Sequence, residues 1–169
     1  ASGSASAKWL FASPDVTAAL RVDRFKLIEG RLGTLRANVG WKFSEGQINI
    51  KGVTNDTIQG ASGLIPSNTF IDGYVSTKHH YIDLGMKLDN TRAEFLGTLC
   101  SSFLENVDLR GNGDLRLWGD LSKLNLTGDI VTDGMMTIKP TGVRYQVNRG
   151  KDQFIENEIQ LPGDTIIDE

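Results

Sequence analysis

The segment LRANVGWKF, residues 35–43, alternates apolar residues with polar or small ones along its whole length. The same alternation returns in IDLGMKLD, residues 82–89, and in DLRGNGDLRL, residues 108–117. A side-chain period of two places every second residue on the same face of a pleated sheet. These segments therefore predict strands of a sheet that is apolar on one face and polar on the other.

Glycine- and Asn/Asp-containing links between the strand-like segments are short. Ser44 to Gly46, Asn55-Asp56, 66–68 and Asp133-Gly134 have the residue types of turns, and Asp-Gly is typical of a tight hairpin. Links this short favour an antiparallel meander, because parallel strands need long crossover connections.

One stretch breaks the period of two. From Thr91 to Glu105 the apolar residues recur at helical spacing, and Thr91 with Glu94 matches the S/T-x-x-E capping box. We therefore expect one amphipathic helix near residues 91–105. It would cover the sheet, or act as a lid or plug across its apolar face.

A single helix is too small to cover the apolar face of such a sheet. About ten strands at a spacing of ~4.8 Å span ~45 Å, whereas a helix is ~10 Å across. The sheet must therefore fold over its own apolar face, as a sandwich, a barrel or a half-pipe.

Composition excludes several classes of protein. The chain has 169 residues, a formal net charge of −3 and no cluster of Lys and Arg, which argues against nucleic-acid binding. The single cysteine, Cys100, excludes an internal disulfide and a thiolate metal site.

We expect residues 1–17 to be a linker-like start and residues 18–169 to form a single repetitive β-domain, as a fragment of a longer protein.

The last third carries a more specific pattern. Gly111, Gly113, Leu115 and Leu117 are followed by Leu124, Leu126, Gly128 and Ile130, with an aromatic residue at Tyr145. This pattern resembles the C-terminal region of TamB-type proteins of the AsmA-like group, and most resembles its Bacteroidetes branch. In that pattern a glycine directly follows the position of Leu117, whereas here Trp118 stands between Leu117 and Gly119.

The resemblance implies a fold and a function. The fold is a β-taco: a long curved antiparallel sheet folded into a half-pipe with an apolar interior. The function is that of a periplasm-spanning scaffold, anchored in the inner membrane through a segment outside this chain. Its apolar groove carries phospholipid, or nascent outer-membrane β-strands, toward an outer-membrane partner of the TamA or BamA type.

The groove candidates are apolar residues that share the inward parity of the clearest strands. They are Leu35, Val39, Trp41, Ile48, Ile50, Ile82, Leu84, Met86, Leu115, Leu117, Leu126 and Tyr145. The alternative is that these side chains simply pack against one another as a filled core. Small residues on the same strands, such as Gly52, Gly111, Gly113 and Gly128, favour a hollow interior.

No catalytic, cofactor or metal site is predicted, and we do not expect an enzyme. The sequence has no G-x-S-x-G, phosphate-loop or HExxH motif. His79 and His80 are adjacent, so in a strand they point to opposite faces. The alternative function is a secreted β-sandwich adhesin or carbohydrate-binding module that uses Trp118. Edge-strand self-association is a further expectation if the chain is truncated.

Overall fold

The computed structural model describes the backbone of residues 2–8, 15–27, 30–60, 63–155, 158–160 and 166–168. Side chains are described for residues 16–27, 30–59 and 63–148. Expectations for residues 9–14 and 161–165 lie outside the described residues.

The described residues form one antiparallel sheet and one short helix. The strands are β1 (Ser2–Lys8), β2 (Asp15–Leu27), β3 (Gly30–Lys42), β4 (Gln47–Gly60), β5 (Gly63–Ser76), β6 (Tyr81–Arg92), β7 (Leu104–Asp120), β8 (Lys123–Ile138), β9 (Val143–Ile155), β10 (Glu158–Gln160) and β11 (Ile166–Asp168), and the helix is α1 (Glu94–Leu99). The strands pair in chain order from β1 to β10, and β11 also pairs with β9. The predicted all-β antiparallel meander is confirmed.

The sheet is curved. Strand β3 contacts β6, although β4 and β5 lie between them in the sheet. In a flat sheet the two strands would be about 14 Å apart, at ~4.8 Å per strand. Helix α1, which follows β6, also contacts both β3 and β7. The described strands therefore form one open, slightly curved sheet.

The predicted helix is shorter than the sequence pattern indicated. Only Glu94–Leu99 is helical, and Thr91 belongs to β6 while Leu104 and Glu105 belong to β7. Thr91 donates its hydroxyl hydrogen to the Asn68 carbonyl oxygen (2.7 Å), so it serves the sheet and does not cap the helix. The N-cap residue is Ala93, which makes no side-chain capping bond. Among the described residues, no helix is long and apolar enough to cross a bilayer.

Three predicted turns are wrong. Residues 66–68 lie within β5, where Ser67 pairs with Asp56 and Asn68 pairs with Asn55 of β4. Asn55-Asp56 lies within β4, where Asn55 Nδ2 donates to Asn68 Oδ1 of β5 (2.8 Å). Asp133-Gly134 lies within β8, at a register shift in its pairing with β9. In all three cases the turn-forming residue types are accommodated inside a long strand, by cross-strand pairing or by a bulge.

The start of the chain also differs from the expected linker. Ser2–Lys8 pairs with β2 over its whole length, from Ser2 opposite Arg21 to Lys8 opposite Asp15. Backbone pairing with β2, and not a side-chain pattern, therefore identifies this segment as a strand.

Candidate apolar groove

The predicted groove residues lie on one face of the sheet, which we call the inner face. Directly paired residues of neighbouring antiparallel strands share a face. The pairing gives three rows from β3 to β8: Trp41-Ile48-Val75-Ile82-Gly119-Leu124, Val39-Ile50-Gly73-Leu84-Leu117-Leu126 and Ala37-Gly52-Ile71-Met86-Leu115-Gly128. Tyr145 of β9 pairs with buried Met136 and packs against the same cluster, which also contains Leu35.

The structure divides these twelve residues by burial. Six belong to the buried cluster and are at most 7% exposed: Leu35, Leu84, Met86, Leu115, Leu117 and Leu126. Val39, Ile50, Ile82 and Tyr145 are half-buried and pack against that cluster, and Ile48 is also half-buried. Trp41 is the exception at 39% exposed. Burial therefore decreases along the strands toward the row that contains Trp41.

This less buried side is where β3, β5 and β7 end, and we call it the open end. The turns at residues 43–46, 77–80 and 121–122 lie there. Trp41 stacks on Phe43 with ring centroids 4.2 Å apart, and Phe43 and Leu121 are 45% and 50% exposed. Aromatic and aliphatic surface therefore faces solvent at the rim of the inner face.

The opposite side, which we call the helix end, is closed by α1. Phe95 and Leu96 have almost no exposed surface and belong to the buried cluster. Gly30 at the start of β3 lies so close to α1 that a Cβ there would be 2.6 Å from the Phe95 nitrogen. The helix thus seals the inner face against β3, which agrees with both the covering and the plug interpretations.

The glycines of the inner face do not leave it hollow. A Cβ on Gly52 would be 2.8 Å from the Ala37 Cβ, and one on Gly111 would contact Leu88, Ile130 and Thr132 at 3.7–3.9 Å. Gly113 and Gly128 have φ of +146° and +138°, and a Cβ on either would collide with the facing backbone. The expectation of a hollow interior from these glycines is wrong, because they allow close approach of strands.

A set of buried hydroxyls interrupts the apolar inner face near the helix end. Thr54, Thr69 and Thr91 are each at most 1% exposed. Thr54 Oγ1 accepts from the Thr69 backbone nitrogen (3.1 Å), and the Thr69 and Thr91 hydroxyl oxygens are 2.9 Å apart. Alternation places Thr54 and Thr69 on the inner face, whereas Thr91 reaches it through the register shift that follows Leu88. The register of three strands then brings the hydroxyls together.

Asp56 extends this polar set toward β3. Its Oδ1 accepts from the Thr57 backbone nitrogen (2.9 Å), and its Oδ2 lies 3.4 Å from Arg31 Nε. The Asp56 side chain is 11% exposed, whereas that of Arg31 is 57% exposed. Arg31 therefore places a cation over a nearly buried carboxylate, a charge pair that the sequence analysis did not identify.

The opposite face of the sheet, which we call the outer face, carries Trp118, the residue of the alternative carbohydrate-binding function. Trp118 is half-buried, with the Arg116 guanidinium 6.0 Å from its ring centre. Arg116 donates to both carboxylate oxygens of Asp83, and this hydrogen bonding lowers the Asp83 pKa below its ordinary value. His79 and His80 lie on the turn after β5, and the described residues contain no group of three potential metal ligands.

Comparisons with protein-family models, curated proteins and solved structures find no match to this chain.

Proposed function

We propose that this chain is part of an envelope scaffold whose inner face holds the acyl chains of phospholipid at its open end. The observation that carries the proposal is the graded burial of the inner face. Val39, Ile50 and Ile82 remain partly accessible beside the exposed Trp41. The resemblance to TamB-type proteins supplies the setting: transfer between inner and outer membranes, with a partner of the TamA or BamA type.

The energetics support acyl chains as cargo. Each methylene group of an acyl chain removed from water contributes about 0.8 kcal/mol to the free energy of binding. The acyl chain would also cover the apolar side chains exposed at the rim, which is a further favourable contribution. Phospholipid headgroups would stay in water at the rim, so transfer needs no catalytic group. Nascent β-strands of outer-membrane proteins are the second possible cargo, because an extended segment can add a strand to an exposed sheet edge.

The packed middle of the inner face limits where cargo can bind. Leu84, Leu115 and Leu117 are covered by protein atoms, so acyl chains would first contact the row of Trp41 and the row of Val39. Passage farther along the strands would require α1 to leave the helix end. In this proposal α1 is a plug that limits the length of chain bound.

The experiment compares the same substitution on the two faces of the sheet. We expect Val39→Asn to weaken binding of an NBD-labelled phosphatidylethanolamine at least about tenfold, because it places an amide among the half-buried residues of the groove. Val131→Asn, at a position that is 41% exposed on the outer face, should leave binding unchanged. Fluorescence titration measures both.

Two results would contradict the proposal. One is a wild-type protein that does not bind the labelled lipid and carries no phospholipid in native mass spectrometry. The other is an equal loss of binding in Val39→Asn and Val131→Asn. Circular dichroism spectra and urea midpoints for both variants separate a local effect on the groove from loss of the fold.

A further inference from the structure

A cleft separate from the apolar groove lies on the outer face of the sheet, beside the turns at residues 43–46 and 77–80. It has a volume of about 590 Å³, within the usual range for small-molecule sites. Its lining includes Gln47, Tyr74 and Tyr81 from three adjacent strands, with Glu45, Lys78 and His79 from the flanking turns. None of these residues belongs to the apolar groove.

The two turns that form the walls are fixed to each other. The Thr77 backbone nitrogen and the Thr77 hydroxyl both donate to the Gly46 carbonyl oxygen, at 2.8 and 2.9 Å. A Cβ on Gly46 would be 2.9 Å from Lys78 Cβ, so the turns are also in close contact. The His79 backbone nitrogen donates to Ser76 Oγ (3.2 Å), which holds the second turn over β5. The cleft is therefore preorganised, which lowers the entropic cost of binding.

The spacing of the two tyrosines suits a ring-shaped ligand. Ser76 pairs with Tyr81 and Tyr74 pairs with Asp83, so Tyr74 and Tyr81 are diagonal neighbours on one face of the sheet. Diagonal neighbours are about 7–8 Å apart at the backbone, within reach of aromatic side chains. Each tyrosine offers an apolar ring face together with a hydroxyl that can donate or accept a hydrogen bond.

The charges in the cleft favour a neutral ligand. Glu45 and Lys78 have opposite charges, and Lys42 lies 3.6 Å from Glu45. Arg116, the cation that interacts with both tyrosines, is paired with Asp83 through two hydrogen bonds. The Ser44 hydroxyl adds a neutral donor and acceptor, and so does the Gln47 amide, whose nitrogen also donates to Asn49 Oδ1 (2.8 Å). Ser76 is buried and holds the His79 turn.

We propose that this cleft binds a neutral oligosaccharide, with Tyr74 and Tyr81 flanking one sugar ring. The tyrosine rings contact the C–H faces of the sugar, and the Gln47, Ser44 and Glu45 groups bind its hydroxyls. The site is separate from the acyl-chain groove, and it stands whether or not that groove binds lipid. It also differs from a site centred on Trp118, which is not part of the cleft lining.

The test uses isothermal titration calorimetry of the whole chain with maltotriose and with N,N′-diacetylchitobiose. We expect at least one of them to bind with a dissociation constant of ~1 mM, which is equivalent to a binding free energy of about −4 kcal/mol. Tyr74→Ala and Tyr81→Ala should each weaken that binding at least about tenfold. Phe70→Ala is the matched control, because Phe70 is an exposed aromatic residue of the same strand and face as Tyr74, about 13 Å away.

The proposal is overturned if neither saccharide binds at concentrations up to ~20 mM, well above the expected dissociation constant. It is also overturned if Phe70→Ala weakens binding as much as Tyr81→Ala, or if inorganic phosphate binds in the cleft and excludes the saccharide. Unchanged circular dichroism of the tyrosine variants confirms that the fold is retained.

Discussion

Glycines of this sheet illustrate how one residue type serves different purposes at the residue scale. Gly128 has φ +138°, and a Cβ there would collide with the Asp114 carbonyl oxygen and would be 2.9 Å from the Leu115 Cα. Gly40 has no atom within 4 Å of the position that a Cβ would take. The first glycine lets β7 and β8 approach each other, whereas the second simply lies on the exposed side of β3.

We expect Gly128→Ala to destabilise the fold by at least about 2 kcal/mol, since the new methyl group forces both a strained backbone and separation of two strands. Gly40→Ala should be neutral or stabilising by up to about 1 kcal/mol, because it reduces the entropy of the unfolded chain. Urea unfolding measures both free energies. Equal destabilisation by the two substitutions would contradict this account of Gly128.

The apolar alternation predicted the inner face correctly because the period of two is a local property of each strand. All twelve groove candidates lie on that face. The role of Gly113 and Gly128 could not be predicted, because it depends on the backbone of a facing strand. The Arg31–Asp56 pair was missed for the same reason: its partners are on different strands and meet only through their register.

At the scale of elements, α1 is held by burial more than by its own helical propensity. It has six residues and no side-chain cap, and isolated helices of that length are unstable in water. Phe95 and Leu96 are almost completely buried against the sheet, while Phe103 in the following turn is exposed. The apolar spacing of the sequence located the helix, but competition from β6 and β7 for Thr91 and Leu104 set its ends.

We expect Phe95→Ala to reduce the free energy of unfolding by about 3–5 kcal/mol, as for other buried phenylalanines. Phe103→Ala removes the same side chain from a position that is 40% exposed in the turn after α1, so it should cost less than about 1 kcal/mol. Chemical denaturation followed by tryptophan fluorescence compares the two. A small effect of Phe95→Ala would mean that α1 is not an integral part of the core.

At the scale of the whole molecule, the sheet buries its apolar face by bending, assisted by one helix at one end. The coverage estimate predicted curvature, because strand number and helix size follow from the sequence. It also expected a sheet folded over on itself, whereas the described strands form one open, slightly curved sheet. The estimate did not predict that burial would be uneven along the strands. That gradient depends on where α1 packs, and α1 lies at the helix end against Gly30 and β7.

Uneven burial predicts different thiol reactivity at two positions of one strand. Ile71 and Val75 are both on the inner face of β5, but Ile71 is buried in the middle and Val75 is half-buried at the open end. We expect the introduced thiol of Val75→Cys to react with iodoacetamide at least about 100-fold faster than that of Ile71→Cys. Reaction at the middle requires a local opening that costs about 3 kcal/mol or more, and each 1.4 kcal/mol is roughly a tenfold change in population.

Cys100 provides the reference in both variants. It is the single natural cysteine, it is buried next to α1, and burial raises the pKa of its thiol. Because the thiolate is the reactive form, Cys100 should also be modified slowly, at a rate that reports opening of the helix end. Mass spectrometry after proteolysis resolves the sites. Equal rates for Ile71→Cys and Val75→Cys would mean that solvent reaches the whole inner face, and the groove would then be a continuous channel and not a pocket at its open end.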